Sequence, residues 1–216
     1  MSFADIKKAA DATSKARKAL EGVAFLAPES APVITTLTDA EGELQALPPE
    51  YFPVGYVSTD GYTWGGDTDT EEVEALGYAS PVRNDITKTT REVSFSAYNV
   101  YHANLLAVAY GMDLSEAKKA VSGEITFDRP ALPDKIFYRL IVIAKDGSGA
   151  NEIYRAKHNP RVSIVEIPEE TWNASDAKAF EFKFAAEVDP LLGTAEREFI
   201  AGPGAKTQEL GFKPAG

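Results

Sequence analysis

The side chains best placed to do chemistry are six carboxylates crowded into one short stretch: Asp60, Asp67, Asp69, Glu71, Glu72 and Glu74. No Lys or Arg lies between the first and the last. Such a run has three uses. Two carboxyl groups at a fixed separation can hydrolyse a glycoside, an Asp/Thr alternation like DTDTEE can offer oxygens to calcium, and the whole set can present a negative face. Carboxylates are so abundant here that a pair means little, and the EF-hand spacing is absent. The electrostatic use is carried forward, against a plain solvated turn as its alternative.

Other reactive groups are sparse. The two histidines, His102 and His158, are far apart and form no HExxH pattern. His102 is expected as a hydrogen-bonded structural residue of a short helix, and His158, before Asn159-Pro160, as a turn residue. GxSxG, GxxxxGK[ST] and dinucleotide fingerprints are missing. Trp64 and Trp172 with the tyrosines can build a carbohydrate platform, although aromatics in β proteins more often serve core or interface. With no cysteine, disulfides, thiolate metal sites and cysteine nucleophiles are excluded. The expectation is a protein with no catalytic residue, no metal and no cofactor.

The net charge of -11 over 216 residues argues against holding a phosphate backbone, which takes clustered Lys and Arg. No signal-peptide pattern opens the chain, and no apolar run approaches the ~20 residues of a membrane-spanning helix. A soluble product that is not exported by the usual signal is expected.

The elements that must position the carboxylates follow from periodicity. PVGYVSTDGYTWGGDTDTEEVEALGY holds two runs that can pair as strands, separated by Asp60-Gly61 and Gly65-Gly66-Asp67, and predicts a long hairpin or two tight reversals. TTREVSFSAYNV follows as a strand with Val93, Phe95 and Ala97 on one side. A short helix over about 99–110 comes next, with Tyr101, Leu105 and Val108 on its stripe and Gly111 at its end. Elsewhere, strands are predicted at Val23–Leu26, Val33–Leu37, GEITFDR, KIFYRLIVIAK with EIYRAKH as its hairpin partner, Arg161–Ile167 and Arg197–Ile200. The clearest alternation is AKAFEFKFAAEV, with Phe180, Phe182, Phe184, Ala186 and Val188 on one face and Glu181, Lys183 and Glu187 on the other. Asp113-Leu-Ser-Glu reads as a turn.

The ends differ from the body. An N-terminal helix is expected over about 2–20, opened by Ser2 and Asp5 at capping-box spacing and carrying a thin stripe of Phe3, Ile6, Ala10, Thr13 and Leu20. Its Lys7, Lys8, Lys15, Arg17 and Lys18 make it locally basic, either as a solvated surface or as an arm on an acidic neighbour. The C-terminal tail, which contains Phe212, has too little apolar side chain to fold alone. This divides the chain into a helical arm (1–22), one β-sandwich domain (23–200) and a tail (201–216). The class is mainly β, with eight to ten strands, an internal helix and an N-terminal helix.

GYVSTDGYTW, EEVEALGYASPVRNDIT, TTREVSFSAYNV and LLAVAYGMDLS, in that order over about 60 residues, resemble the major tail tube protein of long-tailed bacteriophages, particularly those of actinobacterial hosts. The resemblance implies a tail-tube-type β-sandwich or barrel with a flanking helix, made in the host cytoplasm and built into the virion tail. Its subunits would stack as rings, usually of six, around a channel through which DNA passes without specific binding. It also implies partners: further copies of the chain, a tape-measure protein, a tail terminator and a distal tail protein, with no membrane insertion. Under it, Asp60, Asp67, Asp69, Glu71, Glu72 and Glu74 are candidates for the channel lining or the contact between rings. Phe3, Ile6, Lys7, Lys8, Lys15, Arg17, Lys18 and Phe212 are candidates for intersubunit arms. A carbohydrate- or receptor-binding β-sandwich and the tube of a contractile apparatus stay open as alternatives.

Overall fold

The computed structural model describes residues 2–12, 16–19, 21–208 and 210–213. Strands dominate it: β1 (Glu21–Pro28), β2 (Phe52–Pro53), β3 (Thr63–Gly65), β4 (Thr68–Val73), β5 (Arg83–Thr89), β6 (Glu92–Ala97), β7 (Tyr138–Asp146), β8 (Ile153–Ile164), β9 (Phe180–Ala186) and β10 (Arg197–Ala201). The helices are α1 (Phe3–Ala12), α2 (Ala103–Tyr110) and α3 (Pro203–Thr207). Eight strands form one antiparallel sheet in the order β2-β1-β7-β8-β9-β6-β3 with β10 along β8, while β4 and β5 pair only with each other.

The core follows from two alternating strands laid side by side. Phe180, Phe182 and Phe184 of β9 are all buried, as are Val93, Phe95 and Ala97 of β6, and register pairs Phe95 with Phe182 and Val93 with Phe184. The Phe182 and Phe184 rings stack with centroids 5.7 Å apart. Each such side chain contributes on the order of 1.5–3 kcal/mol by leaving water. α2 covers one end of this layer with Leu105, Val108 and Ala109. His102 caps α2 through Nδ1, which accepts from Asn104 N at 3.3 Å, and Gly111 ends it with φ 59° and ψ 47°, the left-handed conformation that glycine adopts without strain.

Two devices wrap the sheet around that core. β8 is long enough to run between β7 and β10 over its first half and then pair with β9 through Val162–Ile164. Leu140 faces Asn159 but Tyr138 faces Val162, so β8 carries one extra residue; Pro160, which has no N–H to donate, sits in that bulge. The segment 52–58 then joins the opposite edges. Val54 N donates to Ala24 O of β1 and Ser58 N to Ser96 O of β6, both at 2.9 Å. Together these close the sheet into a sandwich-like barrel.

The outer face of β1, β7 and β8 is covered by a strap, residues 29–51, which buries Ala31, Ile34, Leu37 and Tyr51 against Ala27, Ile141 and Ala156. Two buried polar side chains hold the strap. Arg139 donates to Ala31 O at 2.7 Å and to Pro160 O at 2.9 Å, and pairs with Asp189 at 3.0 Å. Asp189 also accepts from Leu191 N and Leu192 N. Burial alone would raise its carboxyl, but these N–H groups and Arg139 hold it below its ordinary value. His158 accepts from Ile34 N at 3.3 Å through Nε2 and donates from Nδ1 to Leu140 O at 3.1 Å, an arrangement only the neutral ring can make.

Several expectations are corrected. The strap is not a strand at Val33–Leu37: Pro28, Pro32, Pro48 and Pro49 interrupt it, and Ile34 spends its N–H on His158 rather than on a neighbouring strand. EIYRAKH and Arg161–Ile167 are not separate strands; they are largely one, β8, which ends at Ile164 and keeps its ladder past Pro160 by bulging. His158 is therefore a fully buried strand residue, not a turn. GEITFDR makes one bridge, Lys119 to Ile125, and Ile125 is exposed because no strand lies beside it to complete a ladder. Val188 is exposed because β9 ends at Ala186.

The helices are shorter than expected. The internal helix starts after His102 rather than near Asn99, leaving Tyr101 outside its stripe and exposed. The N-terminal helix ends at Ala12 and residues 16–19 are not helical, in line with a short helix whose Phe3 and Ile6 are exposed. Thr13, Lys15 and Leu20 lie outside the described residues. The tail, expected without structure of its own, forms α3, because Gly204 fits closely against Asn151 and donates to Glu152 O at 2.8 Å.

Candidate assembly surfaces

The carboxylate stretch divides between two places. Asp60 lies in the turn before β3, bonded to Ser58 Oγ at 3.2 Å, on the rim of a cleft. Asp67, Asp69, Glu71, Glu72 and Glu74 belong to the β4–β5 hairpin, whose strands pair residue 69 with 88 and residue 73 with 83. The hairpin expected within residues 53–78 is thus displaced: β3 pairs with β6, and β4 turns back on β5. Gly65-Gly66 marks the divergence. A Cβ on Gly66 would lie 2.1 Å from Thr90 O, so only glycine lets the two chains part there.

The hairpin has no buried side. Every residue of β4 and β5 is exposed. Alternation puts Asp69, Glu71 and Val73 on one face with Lys88, Asp85 and Arg83 opposite, and Thr68, Thr70 and Glu72 on the other with Thr89, Ile86 and Asn84. Glu72 accepts from Asn84 at 2.9 Å, but Asp67, Asp69, Glu71, Glu72 and Glu74 form no ion pair among the described residues. At the tip, Leu76 is fully exposed and Tyr78 is 71% exposed, with Val73 and Val82 joined at the base of the turn. An isolated two-stranded hairpin is marginal in water, and this one ends in apolar side chains.

α1 is a second element with exposed apolar side chains. Its capping box forms as expected, Asp5 N donating to Ser2 Oγ at 3.2 Å and Ser2 N to Asp5 at 2.9 Å. Phe3 and Ile6 are exposed, and among the described residues Lys7 pairs with Asp11, one turn along, at 2.6 Å. Lys8 and Lys18 are exposed and make no ion pair among the described residues. Arg17 instead turns onto its own chain, 3.2 Å from Asp146. Phe212 is exposed beyond α3.

Two further features escaped the sequence. A cleft of about 1290 Å³ is lined by Tyr56, Tyr62, Trp64, Tyr98, Arg155 and Lys157 among others. The Tyr62 hydroxyl and Trp64 Nε1 are buried there without a hydrogen-bond partner among the described residues, and Lys157 lies 5.0 Å from the Trp64 ring. Elsewhere Glu170 gathers Tyr110, Arg129 at 3.1 Å, Trp172 at 3.2 Å and Lys178 at 2.9 Å. Burial works upward on this carboxyl, but hydrogen bonds from Tyr110, Lys178 and Trp172 and the charge of Lys178 pull it down to about 2. Trp172 is thereby a clasp, stacked under Lys178 at 4.0 Å.

Among the described residues no group of three His, Cys, Asp or Glu side chains is arranged to hold a metal. Among the same residues no helix is long and apolar enough to cross a membrane. No protein-family model matches the chain, and no curated protein matches it.

Proposed function

We propose that this chain is a structural tube subunit that polymerises as stacked rings around a channel for DNA, within the tail of a virion. The observation that carries the proposal is the β4–β5 hairpin, fully exposed along both strands and tipped by Leu76 and Tyr78. Such an element gains stability once neighbouring copies cover it. The sequence resemblance supplies the rest, including the ring of six and the tape-measure, terminator and distal tail partners. A channel ringed by copies of Asp67, Asp69, Glu71, Glu72 and Glu74 repels DNA phosphate, so that DNA passes without being held.

Sedimentation and negative-stain electron microscopy over a range of concentration and salt test the proposal. Rings or striated tubes with a central channel are expected. A second reading, a carbohydrate- or receptor-binding module, is favoured by the aromatic cleft with its two unpartnered polar atoms. A persistent monomer that binds glycans, and loses them on Trp64→Ala, would replace the first reading with the second.

A further inference from the structure

We propose that the cleft beside Tyr62 and Trp64 is a socket for one extended strand, and that the strand is the C-terminal tail of a second copy, entering with Leu210 and Phe212. The contact rests on the self-assembly argued above and specifies it.

The cleft lies where the sheet is a strand short. Beyond the two residues of β2, the path through the sheet has β1 at one end and β3 at the other. The lining takes in residues 21–25 in succession, together with Tyr62 and Trp64. A cleft lined by consecutive residues of a strand runs along its edge rather than over one face. Pairing then fixes what the edges offer. In an antiparallel ladder each residue turns its N–H and C=O to the same side, and the sides alternate along the strand. Ala24 O accepts from Val54 N, away from β7, so Gly22 also turns its main-chain groups away from β7. On the other edge Ser96 O accepts from Ser58 N, so Ser94 and Glu92 bond to Thr63 and Gly65, and Trp64 turns its main-chain groups away from β6. Among the described residues neither Gly22 nor Trp64 has a backbone partner on that outward side. Gly22 has no side chain to bar a second backbone. The Tyr62 hydroxyl and Trp64 Nε1 also want acceptors, and a strand brings one carbonyl per residue.

The floor says which strand fits. Gly22, Ala24 and Ala144 are small and leave room for large side chains. The two cations of the wall are already neutralised, Arg155 by Glu198 at 2.8 Å and Lys157 by Glu196 at 2.9 Å, so the inward face of the strand should be apolar and uncharged. The tail matches this. Extended, it puts Leu210 and Phe212 on one side and Gly211 and Lys213 on the other. The chain runs on from Thr207, the end of α3, to Gly216, long enough when extended to span about 30 Å. In its own chain the tail does not fill the cleft: none of residues 210–213 lines it, and Phe212 is 75% exposed. A tail seated in a neighbour's cleft is a contact between two different surfaces, and repeated copies of it close into rings or run on as filaments.

The test uses the full chain. Leu210→Asp with Phe212→Asp puts carboxylates where apolar side chains enter, and should lower the assembled fraction about tenfold or more. That variant leaves the cleft free, so the synthetic peptide QELGFKPAG, the sequence of residues 208–216, should bind it and shift the amide resonances of Gly22 and Trp64. Because the protein has no cysteine, a copy with Phe212→Cys can be mixed with a copy with Ala144→Cys and oxidised; a disulfide joining the two positions across copies is expected. A chain carrying both substitutions that links only to itself, at monomer mass, overturns the second copy as donor. Rings or tubes without the link, together with an aspartate variant that assembles like the parent, overturn the contact and leave the proposed function standing. The link without rings or tubes overturns the function and leaves the contact. Glycans that bind the cleft when the peptide does not give the site to the carbohydrate reading and overturn the contact. Neither rings, link nor peptide binding overturns both.

Discussion

Acidification should loosen the strap before it touches anything else, and His158 is the reason. The ring is fully buried, donates to Leu140 O and accepts from Ile34 N. Burial lowers its pKa from 6.5 to about 4, the bond to Leu140 O works upward, and the neighbouring Arg139 charge lowers it further, while Asp189 and Arg197 act in opposite senses. A folded-state value below the unfolded one means the unfolded chain binds the extra proton, so stability is full above pH 6.5 and is lost as pH falls toward 4. With these values the loss is about 2 kcal/mol at pH 5 and about 3 kcal/mol at pH 4. Protonating Nε2 also turns an acceptor into a donor facing Ile34 N–H, so the strap loses its anchor. The assay is urea unfolding at pH 7.5, 6 and 5, beside His158→Gln, whose amide can offer an acceptor and a donor but does not titrate. The parent should lose about 2 kcal/mol more than the variant between pH 7.5 and 5. Equal slopes in the two proteins, or a His158 resonance titrating near 6.5, would refute the argument.

Three other outcomes follow from the same geometry. Arg139→Met should cost about 3–5 kcal/mol in urea unfolding, because it strands the buried Asp189 and the carbonyls of Ala31 and Pro160, and a cost under about 1 kcal/mol would contradict that account. Glu170→Gln should cost about 1–2 kcal/mol at pH 7 once solvent screening of the cluster is allowed for. Since its folded value is depressed, the parent's advantage should fade as pH drops from 4.5 toward 2, which thermal unfolding of both proteins across that range would register. Gly66→Ala should disturb the hairpin root, where the added Cβ meets Thr90 O at 2.1 Å. Limited proteolysis should then cut residues 67–89 faster while the core melts within a few degrees of the parent; unchanged proteolysis would show that the root can yield.

What was legible in the sequence depended on how local its cause was. The three phenylalanines of β9 announce themselves because a period of two with charges between them has one stable placement, and Gly111 ends α2 because the left-handed position is local too. His158 and the strap could not be read that way. Asn159-Pro160 looks like a turn, and only the bulge opposite Leu140, a property of the pairing with β7, keeps the strand running through it. The Arg139–Asp189 pair left a trace, a single cation inside the apolar run KIFYRLIVIAK, but its partner lies 50 residues away. The same limit explains the hairpin: Gly66 signals a turn, yet what it permits is a parting of strands set by Thr90.

Stability and the proposed assembly are therefore written in different parts of the chain. Phe180, Phe182, Phe184, Arg139 and His158 are buried, so changes there act on folding. Leu76, Glu71, Phe3 and Lys8 are exposed, so changes there should leave the urea midpoint nearly still, within about 0.5 kcal/mol. An exposed apolar tip lowers the solubility of a lone chain and is useful only where something covers it. That asymmetry, an interior whose polar groups are largely satisfied and a hairpin with an exposed apolar tip and exposed acids, supports the proposed tube subunit, whose neighbours would be other copies of itself.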